Sequence, residues 1–205
     1  MLTLYFAPGT CALATHIALE DAGAEYVAKR VDFAQAEQRS PAYLAINPKG
    51  RVPALATPRG IITETPALLV YVAQNHRHAE LAPLDDHFAF AELQAFASYL
   101  ASTVHVAHAH RPRGGRWADE AISLEDMKRK TPANMRACFE LIQAHLFRGP
   151  WAMGERYSVI DPYLFTLAGW LEGDGVDIAE FPVIAGHYRR MTERRSVKRV
   201  LAAET

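Results

Sequence analysis

The segment Leu2-Thr3-Leu4-Tyr5-Phe6-Ala7-Pro8-Gly9-Thr10-Cys11 decides the fold at the start of this chain. A short apolar, β-prone run ends at Pro8-Gly9, which predicts a strand. Thr10 can cap a helix, and apolar residues at helical spacing continue to Gly23. The chain therefore begins with a strand and a helix that follows it directly, and Cys11 falls on the first turn of that helix.

Four further elements and a closing helix follow in the first 80 or so residues. Tyr26 to Phe33 predicts a second strand and Pro41 to Ile46 a short helix. Val52 to Ala56 and Gly60 to Thr63 predict a hairpin around a Pro- and Gly-containing turn. Thr65-Pro66 begins a helix, with Thr as the N-cap and Pro at the first helical position. This order combines a βαβ unit with an antiparallel hairpin, which is the thioredoxin-like arrangement.

The polar segment from Asn75 to Pro83 interrupts this alternation. From Asp85 onward the apolar spacing predicts helices only, and Ser158-Val159-Ile160-Asp161 has the form of a capping box. We therefore expect an α/β, thioredoxin-like domain over 1–78 and an all-α helical domain over 85–205.

The composition is that of a globular protein of 205 residues, half of them hydrophobic, with a formal charge of -1. A nucleic-acid partner is not expected, because it would require a strongly basic surface. Pro8-Gly9 interrupts the N-terminal apolar run, and no run reaches the ~18 apolar residues that span a bilayer, so we expect no signal peptide and no membrane partner. Cys11 and Cys138 fall in segments of different character, which favours a reducing, cytoplasmic location.

Cys11 is the first candidate for chemistry. A helix N-terminus presents free N–H groups and positive partial charge, which favour the thiolate form of a cysteine placed there. The alternative is a small buried cysteine inside a helix, which is how we interpret Cys138.

The segment Asn47-Pro48-Lys49-Gly50-Arg51-Val52-Pro53-Ala54-Leu55 leads a loop into a strand through Val-Pro. Proline has no N–H and belongs at the start or edge of a strand. A cis Val52-Pro53 bond would leave the N–H and C=O of Val52 free, so that an extended peptide could pair with them as an added strand. The alternative is an ordinary turn.

Thr63-Glu64-Thr65-Pro66-Ala67 is a candidate for binding a charged head group. The Thr65 hydroxyl and the first N–H groups of its helix suit a carboxylate, and Glu64 suits an ammonium. Together they match an α-amino acid head group. The alternative is a capped helix without a ligand.

Taken together, these motifs resemble the bacterial beta class of glutathione transferases along nearly the whole chain. The residues that carry the resemblance are Tyr5, Pro8-Gly9-Thr10-Cys11, Asn47 to Pro53, Thr63-Glu64-Thr65, Ser102-Thr103-Val104-His105, and Gly154 through Tyr163-Leu164-Phe165. The resemblance implies the glutathione transferase fold, glutathione as co-substrate, and an electrophile pocket and dimer contacts in the helical domain.

The resemblance also implies residue roles. Cys11 and His105 would be catalytic: Cys11 would lie against the glutathione sulfur, and His105 would act on the same sulfur. Val52 would pair with the cysteinyl backbone of glutathione, and Ser98 would reach the γ-glutamyl group of the site in the partner subunit of a homodimer. The full set implied to bind glutathione is Tyr5, Gln35, Val52, Pro53, Glu64, Thr65, Ser98 and Ser102.

The function implied is conjugation of the glutathione thiolate to small hydrophobic electrophiles in detoxification, with thiol-disulfide exchange or peroxidase activity through Cys11 as a further possibility. A catalytically weak ligand-binding or protein-interaction module is the alternative. Two departures from the family favour that alternative: Val106 stands where many relatives have Lys, and Gln35 or Gln38 stands near the position of a basic residue. No metal is expected, because no Cys or carboxylate is spaced to complete a site with His105, His108 and His110.

Overall fold

The structure is a computed structural model, and it describes residues 1–204. The chain divides into two compact units, Met1–Phe90 together with the chain from Thr192 onward, and Ala91–Met191. This division differs from the expected ranges 1–78 and 85–205, because the C-terminal segment belongs to the first unit.

The first unit contains a four-stranded sheet of order β2-β1-β3-β4. The strands are β1 (Leu2–Phe6), β2 (Tyr26–Arg30), β3 (Ala54–Thr57) and β4 (Gly60–Thr63). Strands β1 and β2 are parallel, whereas β1 with β3 and β3 with β4 are antiparallel. A βαβ unit joined to a hairpin is the topology that the order of elements predicts, so the thioredoxin-like expectation is confirmed.

Helix α1 (Ala12–Asp21) connects β1 to β2, α2 (Pro41–Ile46) connects β2 to β3, and α3 (Thr65–Asn75) follows β4. Helices α1 and α3 pack on each other. The core of the unit consists of apolar side chains that are fully buried, among them Leu4, Ile17, Leu55 and Leu68. Strand β1 alternates, with Leu4 and Phe6 buried and Tyr5 half-buried on the opposite face.

The C-terminal helix α9 (Arg195–Glu204) packs on α1. His16 Nδ1 and Glu204 Oε1 are 2.7 Å apart, and both side chains are almost completely buried. Arg194 pairs with Asp21 at 2.7 Å, and α9 also places Arg199 against α1. The sequence predicts a helix here but not its packing partner, which lies at the other end of the chain.

The rest of the chain is helical, as predicted from Asp85 onward. Its α-helices are α4 (His87–Tyr99), α5 (His105–Arg113), α6 (Ala121–Leu141), α7 (Ile160–Ala168) and α8 (Pro182–Glu193). A π-helical turn over Leu100–Val104 joins α4 to α5, and a second one over Ile142–Leu146 follows α6. Among residues 1–204, no helix is long and apolar enough to cross a membrane.

A buried polar cluster around Asp161 fixes the start of α7. The carboxylate accepts hydrogen bonds from the backbone N–H of Ser158 at 2.7 Å and of Ala152 at 2.8 Å. Nε2 of His187, on α8, lies 3.0 Å from the same carboxylate, and both side chains are fully buried. The predicted capping box is therefore present, with the aspartate also joining two helices.

Candidate functional site

Cys11 lies at the junction of β1 and α1. It is the N-cap residue of α1, and only 9% of it is exposed. The preceding Thr10 donates its hydroxyl proton to the Ala7 carbonyl at 2.7 Å and accepts from the N–H of Ala12 at 3.3 Å. The prediction of Thr10 as N-cap and Cys11 in the first turn is therefore one residue out of register, but the cysteine is at the helix N-terminus as expected.

The Cys11 thiol donates to the carbonyl oxygen of Val52, with an Sγ to O distance of 3.6 Å. The Val52-Pro53 bond is cis, as the sequence suggested. The prediction that the Val52 carbonyl is free is wrong, because Cys11 contacts it. The N–H of Val52 has no hydrogen-bond partner among residues 1–204. Cys11 and an open backbone donor are thus neighbours.

The loop before Val52 is held by two hydrogen bonds to one carbonyl. The carbonyl of Arg51 accepts from Asn47 Nδ2 and from the Tyr43 hydroxyl, both at 2.7 Å. Burial raises the pKa of Tyr43 to about 12, so the hydroxyl stays a donor at neutral pH. Gly50 has a φ of 59°, and a Cβ there would lie 2.9 Å from the carbonyl oxygen of Gln38. The loop therefore has one close-packed conformation that requires glycine at this position.

Glu64 and Thr65 form the entry to α3. The N-cap is Glu64, with a φ of 75°, whereas Thr65 is the first helical residue, so the prediction of Thr65 as N-cap is wrong. Thr65 is 4% exposed, and its hydroxyl makes no hydrogen bond among residues 1–204. The first-turn N–H groups of a helix also have no intrahelical acceptors. A positive φ at a non-glycine residue is uncommon and is concentrated at binding sites.

The Glu64 carboxylate pairs with the ammonium of Lys49, which also donates to the Thr63 hydroxyl at 2.7 Å. This carboxylate thus already binds an ammonium group, which is the chemistry expected of it. Lys49 was not among the predicted site residues. Lys49 lies in the Asn47 to Arg51 loop, 15 residues before Glu64, and no sequence pattern at that separation indicates the contact.

Two other predicted binding residues lie at the edge of this group. The ring of Tyr5 contacts the ring of Tyr43, with centroids 5.9 Å apart, so it supports the residue that holds Arg51. Gln35 is exposed, and its N–H donates to Asp32 Oδ1 at 3.2 Å. Of the two glutamines considered, Gln38 is the one that contacts the loop at Gly50.

The remaining predicted residues, Ser98, Ser102 and His105, lie in the helical unit around the π-helical turn. Ser98 is exposed on α4, and its backbone carbonyl accepts a hydrogen bond from the Ser102 hydroxyl at 2.8 Å. His105 is the first residue of α5, and its ring centroid lies 5.0 Å from that of Trp170. Turns of this kind recur at functional sites, because they shift the side chains that follow.

Comparisons with known proteins agree with this arrangement. The model of the glutathione S-transferase N-terminal domain matches residues 1–74. The chain is 28% identical to glutathione S-transferase GstA of Escherichia coli O157:H7, over 99% of this chain and 98% of that protein.

Two solved structures are similar over their whole length. A glutathione transferase homologue from Sulfitobacter, solved with bound glutathione, is 51% identical with a TM-score of 0.96, covering 99% of this chain and 98% of that one. A bacterial beta-class glutathione S-transferase from Sphingomonas chungbukensis is 31% identical with a TM-score of 0.86, covering 98% of each chain. The chain belongs to the glutathione transferase family.

The resemblance to the bacterial beta class is thereby confirmed, as is the transferase fold. In this glutathione transferase the first unit brings together Cys11, Val52, Glu64 and Thr65, four of the predicted residues. Their chemistry fits a tripeptide with an amino acid head group, because they offer a thiol, an open backbone N–H, a carboxylate and a hydroxyl next to a helix N-terminus.

The histidines of α5 in this transferase are held by other side chains. His108 Nδ1 lies 2.8 Å from Asp174 Oδ2, and the His110 ring lies 4.5 Å from that of Trp117. Among residues 1–204 there is no group of three or more His, Cys, Asp or Glu side chains arranged to hold a metal ion.

Proposed function

We propose that this glutathione transferase binds glutathione along Val52 and conjugates its thiolate to small hydrophobic electrophiles. The observation that carries the proposal is the placement of the Cys11 thiol 3.6 Å from the Val52 carbonyl, beside a Val52 N–H with no partner among residues 1–204. An extended peptide added along Val52 would satisfy that N–H and bring a cysteinyl side chain toward Cys11.

The γ-glutamyl end of glutathione is recognised by Glu64 and Thr65 in this proposal. The Thr65 hydroxyl and the N–H groups of the first turn of α3 donate to the carboxylate. The Glu64 carboxylate takes the ammonium in place of Lys49, which is half exposed and can move into solvent. Both charges of the head group are then matched. Pro53 fixes the backbone at Val52, and Tyr5 and Gln35 act as positioning residues around the loop.

Glutathione supplies the nucleophilic sulfur, because only the thiolate attacks electrophiles at an appreciable rate. Cys11 donates a hydrogen bond to that sulfur, and the N-terminus of α1 favours the anion. The sulfur forms a bond to the electrophilic carbon, and the leaving group departs with the electron pair. We assign His105 a hydrogen-bonding or proton-transfer role in the same reaction.

Thiol-disulfide exchange is a second activity, which the position of Cys11 favours. The Cys11 thiolate would attack the glutathione sulfur of a mixed disulfide between glutathione and a second thiol, form the Cys11–glutathione disulfide and release the second thiol as its thiolate. A free glutathione thiolate would then attack that disulfide, restore the Cys11 thiolate and leave as glutathione disulfide. The alternative of a catalytically weak binding module predicts binding of glutathione without turnover.

The test measures conjugation, disulfide exchange and retention on glutathione-agarose for wild type, Cys11→Ala and Cys138→Ala. We expect Cys11→Ala to lower the exchange rate by about 100-fold or more while glutathione affinity changes little. Cys138→Ala is the matched control, since its thiol is buried in α6, and it should behave like wild type. An unchanged exchange rate in Cys11→Ala contradicts the catalytic role. Wild type that binds but never turns over identifies a carrier.

We also propose that the protein is a cytoplasmic homodimer in which Ser98 contributes to the glutathione site of the partner subunit, and that Ser102 binds glutathione. Ser98 is exposed on the helical unit and so is available to a second copy. Light scattering gives the mass in solution. The expected mass is twice the 22.8 kDa of one chain, and a single-chain mass contradicts the proposal.

A further inference from the structure

A cleft in the helical unit is lined by residues other than those assigned to glutathione. It has a volume of about 660 Å³, within the range of about 300–1,000 Å³ typical of small-molecule sites. Its walls come from α5, α6 and the segment after α7. The residues that line it are His108, Arg111, Pro112, Lys128, Arg129, Gly173 and Asp174.

Three positive side chains converge on this cleft. Arg129 pairs with Asp126 of its own helix. Arg111 and Lys128 have no carboxylate partner among residues 1–204. Like charges placed close together repel one another, and a bound anion relieves that repulsion. Asp174 also lines the cleft, but its carboxylate is 1% exposed and pairs with His108, so the exposed charge of the cleft is positive and favours a negatively charged ligand.

The guanidinium of Arg111 lies beside the turn after α7. A Cβ built on Gly175, in that turn, would be 3.9 Å from Arg111 Nη1, which is an ordinary van der Waals distance. Arg111 thus borders the cleft next to the Gly175 backbone.

Helix α5, which carries Arg111, also contributes an aromatic surface to the cleft. His108 stacks on Trp170, with ring centroids 4.2 Å apart and an interplanar angle of 24°. The same histidine is oriented by Asp174, which is 1% exposed and lies 2.8 Å away through Oδ2. Next to this ring the cleft is lined by Pro112. A planar apolar group can pack against this surface, whereas a small hydrated ion would make no packing contact with it.

We propose that this cleft is a binding site for a small organic carboxylate with an aromatic ring. Arg111 and Lys128 bind the carboxylate, and the ring packs against His108 and Pro112. The proposal does not depend on glutathione chemistry, because none of these residues is assigned to the glutathione site.

The test is calorimetric titration of the full chain with benzoate at low ionic strength, compared with benzamide and with inorganic phosphate. Benzamide has the same shape without the charge, and phosphate has the charge without the ring. We expect benzoate to bind at least tenfold more tightly than either, and to weaken as salt is added. Equal affinity for benzoate and benzamide overturns the role of the cations, and equal affinity for phosphate overturns the role of the ring.

Variants that remove one positive charge test whether benzoate binds in this cleft. Arg111→Gln and Lys128→Gln should each weaken benzoate binding about fivefold, because each removes one of two exposed charges. Arg113→Gln and Lys130→Gln are matched controls on the same two helices, outside the cleft, and should bind within about twofold of wild type. Wild-type affinity in both cleft variants overturns the proposal, as does equal weakening in the controls.

Glutathione titration of the same variants separates this inference from the proposed function. The cleft variants should bind glutathione as wild type does. If wild type fails to bind glutathione but binds benzoate, the proposed function fails and the cleft proposal stands. If benzoate does not bind to wild type at millimolar concentration, only the cleft proposal fails.

Discussion

The Asp161 carboxylate and the Val52 backbone differ in how completely they are paired. Asp161 accepts hydrogen bonds from Ala152, Ser158 and His187 and has no exposed surface. Val52, by contrast, keeps an N–H without a partner among residues 1–204, next to a thiol that can donate elsewhere. Fully paired buried groups stabilise a fold, whereas unpaired donors beside a reactive group are available to a ligand. The first cluster should therefore control stability, and the second should control binding.

The largest effect is expected from Asp161→Ala, which leaves two backbone N–H groups and His187 without their acceptor. We expect the free energy of unfolding to fall by about 3–5 kcal/mol, measured by urea denaturation. Asp161→Asn keeps one acceptor oxygen and should lose less. Folded Asp161→Asn should bind glutathione with wild-type affinity, and a specific loss of affinity would show that the two clusters are not separable in function.

Gly50→Ala tests the loop that holds Val52. The added methyl group would meet the carbonyl of Gln38 at 2.9 Å, in a backbone conformation that disfavours side chains. The free energy of unfolding should fall by about 1–3 kcal/mol, and glutathione binding should weaken as the loop moves. Gly186→Ala is the control, since it lies within α8 and its Cβ would have no neighbour within 4 Å. Equal loss in both variants would contradict a special role for the loop.

Thr65→Val separates binding from stability most directly. The substitution keeps the shape of the side chain and removes a hydroxyl that has no partner among residues 1–204. We expect stability to change little and glutathione affinity to fall by about 1.5 kcal/mol, or roughly tenfold, in calorimetry. Thr65→Ser keeps the hydroxyl and should restore binding. Equal glutathione affinity in Thr65→Val would remove this residue from the γ-glutamyl site.

Lys49→Gln should have the smallest effect. Its ammonium pairs with Glu64, but the two side chains are 44% and 62% exposed, and exposed ion pairs contribute little. The free energy of unfolding should change by less than about 0.5 kcal/mol, as in the control Lys130→Gln. A loss above about 1 kcal/mol would place this pair with the stabilising group around Asp161 rather than with the open group around Val52.

Local sequence signals predicted the first unit well. Strands β1 and β4 and helix α2 have the expected boundaries, because each is bounded by proline, glycine or a good capping residue. Strand β2 ends at Arg30 rather than Phe33, since Asp32 accepts the N–H groups of Ala34 and Gln35 and turns the chain. Periodicity does not detect a turn made by one side chain.

Strand β3 begins at Ala54 rather than Val52, and α3 is capped by Glu64 rather than Thr65. The sequence identified the right motif in both cases, but it placed the start of β3 two residues early and the cap of α3 one residue late. Glu64 has a positive φ, a conformation that residue preferences do not predict.

Contacts between residues that are far apart in the sequence could not be predicted from the pattern of residue types. Lys49 meets Glu64 from another loop, and Arg111 meets the Gly175 turn from another helix. The resemblance supplied Cys11, Val52 and Thr65 because it includes the fold that brings them together. It did not supply contacts that depend on this chain's own side chains.

The return of α9 to α1 makes the first unit discontinuous in sequence, and this affects its synthesis. His16 and Glu204 are separated by 188 positions, yet they form one buried pair. While the helical unit is still being translated, the surface of α1 that later packs against α9 is not yet buried by it. The thioredoxin-like part of a nascent chain thus reaches its final packing only after the last helix has left the exit tunnel, although its own strands were made first.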